Sequence, residues 1–502
     1  MFTSSDLHHL IHSLSPSEQR AFRLETKKAG KDSHNYARLF DLIVKQDVYD
    51  EQAIKQALAG EKVINNFSVA KAYLYQSVLE ALRKGKQGRN PEMTLRTLLD
   101  QIELLFQRGL PNQALKIVDK ALKKTKKLQL WLYQLELIRW KRQLIHLQRP
   151  EKRLGALNGL ESMRARTQTH LSNEHSLQNL RVKIQSIFLN QIDLRKPETA
   201  TLLEDLMSHH LLSHSGHPDS FLTLLYRSEI HAVYARMQGK LDQSHQAYEA
   251  VAFLWQAHPD LLNLHPDKYL NSLTSYLDSC LRLAKYKDFE ATFFNFRQFS
   301  PNALRLKAKA FYLRNHLELR YAITSQQYFI GIRQVKQIEN GLKKHKQFLT
   351  ATIELTFLYN LGVVHYLDQD FKTATHFFYR TSNQGKDAPR RDLQDSASLL
   401  EATCHFELGN MSRLESRIRS INRKLRLHPK ENPFEVNLLK GLRKLSEVPL
   451  SSQLGIYESM FETMQNDRGG QFMLGRTELG MWMRSHLEGL APKDLEPHYG
   501  NP

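Results

Sequence analysis

From about Pro91 to the C-terminal region, apolar residues recur at three- and four-residue spacing in block after block, and no strand-like alternation is sustained. That periodicity predicts an all-α chain. The stretch before it reads as a compact bundle of short helices. In LSPSEQRAFRL the Ser15 hydroxyl is placed to cap a helix, Pro16 suits its first turn, and Glu18 is placed to reach back to the Ser15 amide as a capping box. Further helices are expected at Tyr36 to Gln46, Asp50 to Leu58 and Ser68 to Arg83, the last with Val69, Tyr73, Val78, Leu79 and Leu82 as its apolar stripe. The Lys/Arg/Gly-rich segment RKGKQGRNP, Arg83 to Pro91, is the expected linker to the rest.

The helical blocks repeat, and LYNLGVVHYLDQDFKTATHFFYRTS, from Leu358, is the clearest copy. Leu361, Gly362 and Tyr366 stripe a first helix, Gln369 and Asp370 make a turn, and Phe371, Ala374, Phe377 and Phe378 stripe a second. Small residues at Gly362 and Ala374 let two antiparallel helices approach closely while the aromatics fill the space beside them. This block resembles a tetratricopeptide repeat, matching its pattern at Leu358, Leu361, Gly362, Ala374 and Phe378. His365 stands where the family usually has tyrosine, and Thr381 replaces its later alanine.

Weaker copies lie around Gly109 and Ala114, Gly239 and Ser244, Thr292, and Leu414. Taking Ala114, Ser244, Thr292, Ala374 and Leu414 as equivalent gives steps of 130, 48, 82 and 40, which fit three, one, two and one repeats of about 43 residues. Roughly eight hairpins follow, three of them inferred from spacing alone. The resemblance implies that stacked hairpins form one continuous right-handed superhelix, because a single hairpin cannot bury both faces of its helices. Expected divisions are an N-terminal helical module at 1–88, the repeat array at 91–445, and capping helices with a short tail at 446–502, including a break at Gly469 and Gly470.

Composition narrows the function classes. With 22 glycines and 16 prolines in 502 residues turns are few, and 41% apolar residues suffice for a core. Two cysteines and no Cys-x-x-Cys exclude a disulfide framework and the usual zinc or redox pair. The formal charge of +19 is concentrated: residues 91–160 and 301–390 each carry 14 basic and 6 acidic groups. The densest run is Lys120, Lys123, Lys124, Lys126 and Lys127, followed by a helix with Trp131, Tyr133 and Trp140; a second is Lys336, Lys343, Lys344 and Lys346. Basic groups beside aromatics serve phosphates and bases, whereas lysines at helix C-termini answer the helix dipole; both accounts fit the sequence.

Candidate chemistry is sparse. The phosphate-loop, His-Glu-x-x-His and Gly-x-Ser-x-Gly signatures do not occur, so catalysis is not expected and no cofactor or metal is assigned. His209, His210, His214 and His217 cluster in MSHHLLSHSGHP, with His210 and His214 spaced to share a helix face as zinc ligands do; a solvated helix end is the simpler account. His8 and His12 have the same spacing near the start. Cys280, aligned with Gly362, and Cys404 fit packing positions on first helices. The start MFTSSDLHHLIHSLS lacks the features of a signal peptide, and the longest uncharged stretches, Leu355 to Leu367 and Leu206 to Pro218, are too short to span a bilayer, so a soluble cytoplasmic protein is expected.

Repeats of this family often bind peptides along the surface lined by their first helices, and some clamp a C-terminal carboxylate there. Asn360 occupies one clamp position, but Tyr359 and Val363 stand where the clamp has lysine and asparagine. Tyr359, Val363, Tyr366 and Leu367 would instead line an apolar, aromatic groove. The leading expectation is therefore a noncatalytic scaffold binding a protein or peptide. The second is a nucleic-acid-binding regulator, with the Asp50 to Arg83 region as a helix-turn-helix-like module and the array as sensor.

Overall fold

A computed structural model describes residues 4–28, 33–86, 90–147, 150–189, 197–213, 219–384, 390–425, 433–465 and 478–495, and every regular element among them is helical. Residues 87–89 of the expected linker, the Gly469 to Gly470 break, His214, His217 and the last seven residues lie outside the described residues. The chain divides into two compact units, 1–176 with 214–223 and 177–213 with 224–502. That boundary falls inside the stretch the 43-residue spacing assigned to one array.

The first unit begins with α1 (Ser4–His12), α2 (Pro16–Lys28), α3 (Ser33–Val44), α4 (Glu51–Ala57) and α5 (Phe67–Lys86). The Ser15 capping box forms as read: the Ser15 amide donates to Glu18 at 2.8 Å and the Glu18 amide to the Ser15 hydroxyl at 3.3 Å. Leu7, Ile11, Phe22, Leu39, Phe40, Leu74 and Val78 make a core of the module's own. On α5 the buried row is Phe67, Ala70, Leu74 and Val78, whereas Val69 and Tyr73 are 66% and 55% exposed. The expected stripe was rotated by about one residue because Ala70 was too small to register in the apolar pattern.

The chain continues with α6 (Pro91–Gln107), α7 (Pro111–Lys127), α8 (Trp131–His146) and α9 (Pro150–Leu189). Asn90 caps α6 by accepting the Glu92 amide at 2.9 Å, with Pro91 at the first position. The 40-residue α9 and the short α10 (Pro197–Met207) occupy the stretch where two of the spacing-inferred hairpins were expected. The 130-residue step therefore does not divide into three regular repeats. No proline lies between Pro150 and Pro197, and no described residue of α9 has positive φ, so nothing breaks the helix into a hairpin.

Hairpins follow as α11 (Phe221–Met237) with α12 (Leu241–Ala257), and α13 (Pro266–Arg282) with α14 (Tyr286–Gln298). Next come α15 (Leu304–Thr324) with the interrupted pair α16 (Tyr328–Arg333) and α17 (Val335–Lys344), then α18 (Ala351–Leu367) with α19 (Phe371–Ser382). The last are α20 (Arg391–Glu407) with α21 (Met411–Leu425), α22 (Pro433–Glu447) with α23 (Leu454–Gln465), and α24 (Glu478–Glu488).

One turn recurs throughout. Three residues separate the two helices, and the middle one is left-handed: Gly109, Gly239 and Gly409, with φ of 72°, 74° and 68°, and the non-glycines Gln129, Ala284, Gln326 and Gln369. The amide after it returns to the carbonyl five residues back, at 2.9 Å from Leu110 to Leu105, Lys240 to Ala235, Lys285 to Cys280, Asp370 to His365 and Asn410 to His405. This is a Schellman cap used as a hairpin turn.

Ala114, Ser244, Ala374 and Leu414 are each the fourth residue of their second helix and are buried. Thr292 is the seventh residue of α14; the equivalent position is Phe289, which is buried. Aligning on a small residue displaced that block by three. Gly362 does permit close approach, since a Cβ there would lie 2.6 Å from the Phe378 ring.

Candidate functional site

Three of the four residues expected to line an apolar groove are buried, and one of them, Tyr366, borders a recess of about 340 Å³ with Gln369, Phe371, Glu407, Trp482 and His486. Val363, Tyr366 and Leu367 have exposures of 0%, 2% and 1% and belong to the core. The Tyr366 hydroxyl meets Thr403 on α20 at 3.0 Å, and the half-buried Tyr359 donates to Glu478 of α24 at 3.3 Å. The first turn of α18 is partly exposed at Ala351 and Glu354, whereas every residue from Leu355 to Leu367 is buried or half-buried against its neighbours. Trp482 and His486 of α24 both reach Glu407 Oε1 of α20 at 2.7 Å, holding the C-terminal helix over this region. The expected capping helices thus share the core of the last hairpins.

The lysine runs lie on the surface. Lys120, Lys123, Lys126 and Lys127 are exposed and Lys124 is half-buried on α7; Lys343 and Lys344 end α17, and Lys346 follows. Lys124, Lys126 and Lys127 occupy the last turn of α7, where the dipole favours positive charge. The aromatics beside them are not free for stacking on bases: Trp131 and Trp140 are buried, Trp131 donating to Glu174 at 2.6 Å, and Tyr133 accepts from Arg96 at 3.0 Å.

His8 and His12 bond the Gln46 and Ile43 carbonyl oxygens at 2.9 and 3.1 Å, satisfying the C-terminal end of α3. His210 belongs to a single turn, His210–Leu212, after α10 has ended, and the Ser213 backbone that follows is extended. Cys280 and Cys404 are fully buried, and burial pushes both thiols up, Cys280 to about 12, which disfavours the thiolate. Among the described residues no helix is long and apolar enough to cross a membrane.

One charged constellation among the described residues is one the sequence did not single out. Asp278 of α13 accepts from Arg282 Nε one turn on at 2.9 Å, lies 3.6 Å from Arg236 of α11, and pairs with Arg320 of α15. Three consecutive first helices thus bring three guanidinium groups to one carboxylate. Arg236 also stacks 4.9 Å over the Phe188 ring. Beside them, Glu229 accepts from Arg181 at 2.9 Å and from Ser272 at 2.8 Å. A narrow recess at the turn end, with a volume of about 10 Å³ and so room for about one water molecule, is lined by Arg236, Tyr248, Ser275, Asp278 and Arg282 among others.

Burial lowers all three guanidinium pKa values. Arg282 adds to the effect at Arg236, and Arg236 to that at Arg320, which comes down to about 10. Six residues before the left-handed residue of the common turn stand Val233, Asp278, Arg320 and Val363, and ten before it Glu229, Thr274, His316 and Tyr359, so the charged positions do not follow one register. No protein-family model, curated protein or solved structure matches the chain.

Proposed function

We propose that this chain is a noncatalytic, cytoplasmic interaction scaffold of the tetratricopeptide-like kind, binding a protein or peptide segment across the first helices of stacked hairpins. Residues 224–502 would wind as a right-handed superhelix with those helices on its inner side. The observation that carries this is the charged cluster assembled by α11, α13 and α15, one first helix after another, which exists only because hairpins stack. The spacing supports it: first helices begin at Phe221, Pro266, Leu304, Ala351, Arg391 and Pro433, steps of 45, 38, 47, 40 and 42 residues. The shared Schellman turn supports it too, since one turn geometry gives successive hairpins one register.

A tagged pull-down from native lysate, with and without nuclease, tests the proposal. A discrete protein partner that survives nuclease and moderate salt is the expected result. Recovery of nucleic acid alone would move the function to the second reading, a nucleic-acid binder using the exposed Lys120, Lys123, Lys126, Lys343, Lys344 and Lys346.

A further inference from the structure

We propose that the recess bordered by the α18–α19 turn, the end of α20 and the C-terminal helix α24 binds a protonated organic amine, with the ammonium on Glu407 and the carbon skeleton on the apolar wall beside it. The site does not depend on the scaffold reading. Its volume of about 340 Å³ falls among small-molecule sites, which begin at roughly 300 Å³. Trp482, Ser485 and His486 are spaced to share one face of α24, and Glu407 is the last residue of α20. The walls are fixed before a ligand arrives, which lowers the ordering cost of binding. Trp482 is 2% exposed, and His486 stacks on the Tyr457 ring at 4.5 Å. The Gln326 side-chain amide donates to the Leu495 carbonyl oxygen at 2.8 Å, tying down the segment that carries Ala491 and Pro492.

Hydrogen-bonding capacity selects the charge of the ligand. Trp482 Nε1 and His486 Nε2 both donate to Glu407 Oε1 at 2.7 Å, and the Ser485 hydroxyl donates to the Trp482 carbonyl oxygen at 2.7 Å, so these side-chain donors are already used. Acceptors remain. No described residue donates to Glu407 Oε2, and a neutral His486 that donates through Nε2 keeps Nδ1 as an acceptor. Gln369 supplies a group of each kind. In a chain of net charge +19, no lysine or arginine lines this recess, so a ligand that donates and carries positive charge is the complement of Glu407. Helices α18, α20 and α24 all end at its border, where helix C-termini add partial negative charge, whereas the N-terminus of α19 beside it is answered by Asp370, which accepts the Thr373 amide at 3.1 Å. Among the described residues no group of three or more His, Cys, Asp or Glu is placed to hold a metal ion. A bare ion would also leave Phe371, Leu490, Ala491 and Pro492 uncovered, whereas an alkyl or aryl stem lies against them.

The test is fluorine NMR of the full chain carrying fluorotryptophan at its four tryptophans, with the Trp482 signal assigned by Trp482→Phe. Titrations at mildly alkaline pH, where imidazoles are neutral and alkylamines are protonated, use phenethylamine, its neutral isostere phenethyl alcohol, the anion phenylpropionate, and lysine blocked at both backbone ends. Phenethylamine is expected to move the Trp482 signal to saturation, with the alcohol about tenfold or more weaker and the anion without effect. Glu407→Gln keeps an acceptor for Trp482 and His486 but removes the charge, and should weaken phenethylamine about tenfold with an unchanged helical signal. Ala491→Phe makes none of the carboxylate's bonds and fills the recess from the segment after α24, so it should abolish binding. If Glu407→Gln fails to fold, Ala491→Phe decides by the same criterion. A response to blocked lysine as well extends the site to peptide side chains, and a response to phenethylamine alone assigns it to free amines; either supports the ammonium site. Equal affinity for the amine and the alcohol, no response of Trp482 to either amine, or undiminished binding by folded Glu407→Gln overturns the proposal.

Discussion

Replacing Gly362 by leucine tests the packing of the best-defined hairpin. A Cβ at this position would meet Phe378 Cε1 and Cδ1 at 2.6 and 2.7 Å, whereas carbon atoms rest about 3.5 to 4.0 Å apart, so the ring must move by roughly 1 Å before the rest of the leucine is placed. The ring has little room, being fully buried with Tyr359 and Tyr366 beside it. Overpacking of this kind costs about 3 kcal/mol at the upper end of its range. Leaving glycine in a helix interior returns about 0.8 kcal/mol, so the net loss is about 2 kcal/mol. Gly155 supplies the opposite case, an exposed position in α9 with no atom within 4 Å of an added Cβ. There the same substitution gains about 0.8 kcal/mol. At roughly 2 °C per kcal/mol for units of this size, calorimetry should show Gly362→Leu lowering the transition of its unit by about 4 °C, with Gly155→Leu raising its own slightly. Adding Phe378→Ala to Gly362→Leu should cost less than the two changes separately, since the leucine fills the space the ring vacates. An unchanged or raised transition for Gly362→Leu would refute the close approach of α18 and α19.

Three further outcomes follow from the same structure. Ala284 sits in the left-handed region at φ 53°, which costs an alanine about 1 to 2 kcal/mol, so Ala284→Gly should stabilise by about 0.5 to 1 kcal/mol after the greater freedom of unfolded glycine is subtracted; a urea midpoint that falls would contradict it. Arg417 pairs with Glu401, which is 4% exposed and whose carboxyl is pushed up by burial despite that partner. Arg417→Met should therefore cost about 3 kcal/mol at neutral pH, and the penalty should shrink as acid protonates the stranded carboxyl; a pH-independent loss would contradict it. Burial, with the charge of Arg390, lowers His316 to about 4. The unfolded chain then takes up this proton near pH 6.5 while the folded one does not, so its stabilising contribution is complete above 6.5 and is lost as pH falls towards 4. Urea midpoints at pH 7, 5.5 and 4 should decline less steeply for His316→Gln than for wild type.

Much of the local structure was legible in the sequence because it is encoded within a few residues. The Ser15 capping box, the helix start at Phe371, the turn at Gln369 and Asp370 and the small residues of the hairpin crossing each depend on neighbours one or two turns away, whereas the expected Arg83 to Pro91 linker is shorter than read, α5 running to Lys86 and α6 starting at Pro91. Where that local signal was weak, the reading slipped by a residue or a turn, as at Ala70 and Thr292. Which surface meets solvent was a different matter. From Leu361 to Leu367 α18 is apolar almost throughout, so its periodicity carries little direction, and the packing of the neighbouring helices decided that Val363, Tyr366 and Leu367 are core. The arginine cluster draws Arg236, Asp278, Arg282 and Arg320 from helices separated by dozens of residues. Capping and periodicity are fixed by the chain's own short-range geometry, whereas burial and charge convergence depend on long-range contacts that only the folded chain supplies.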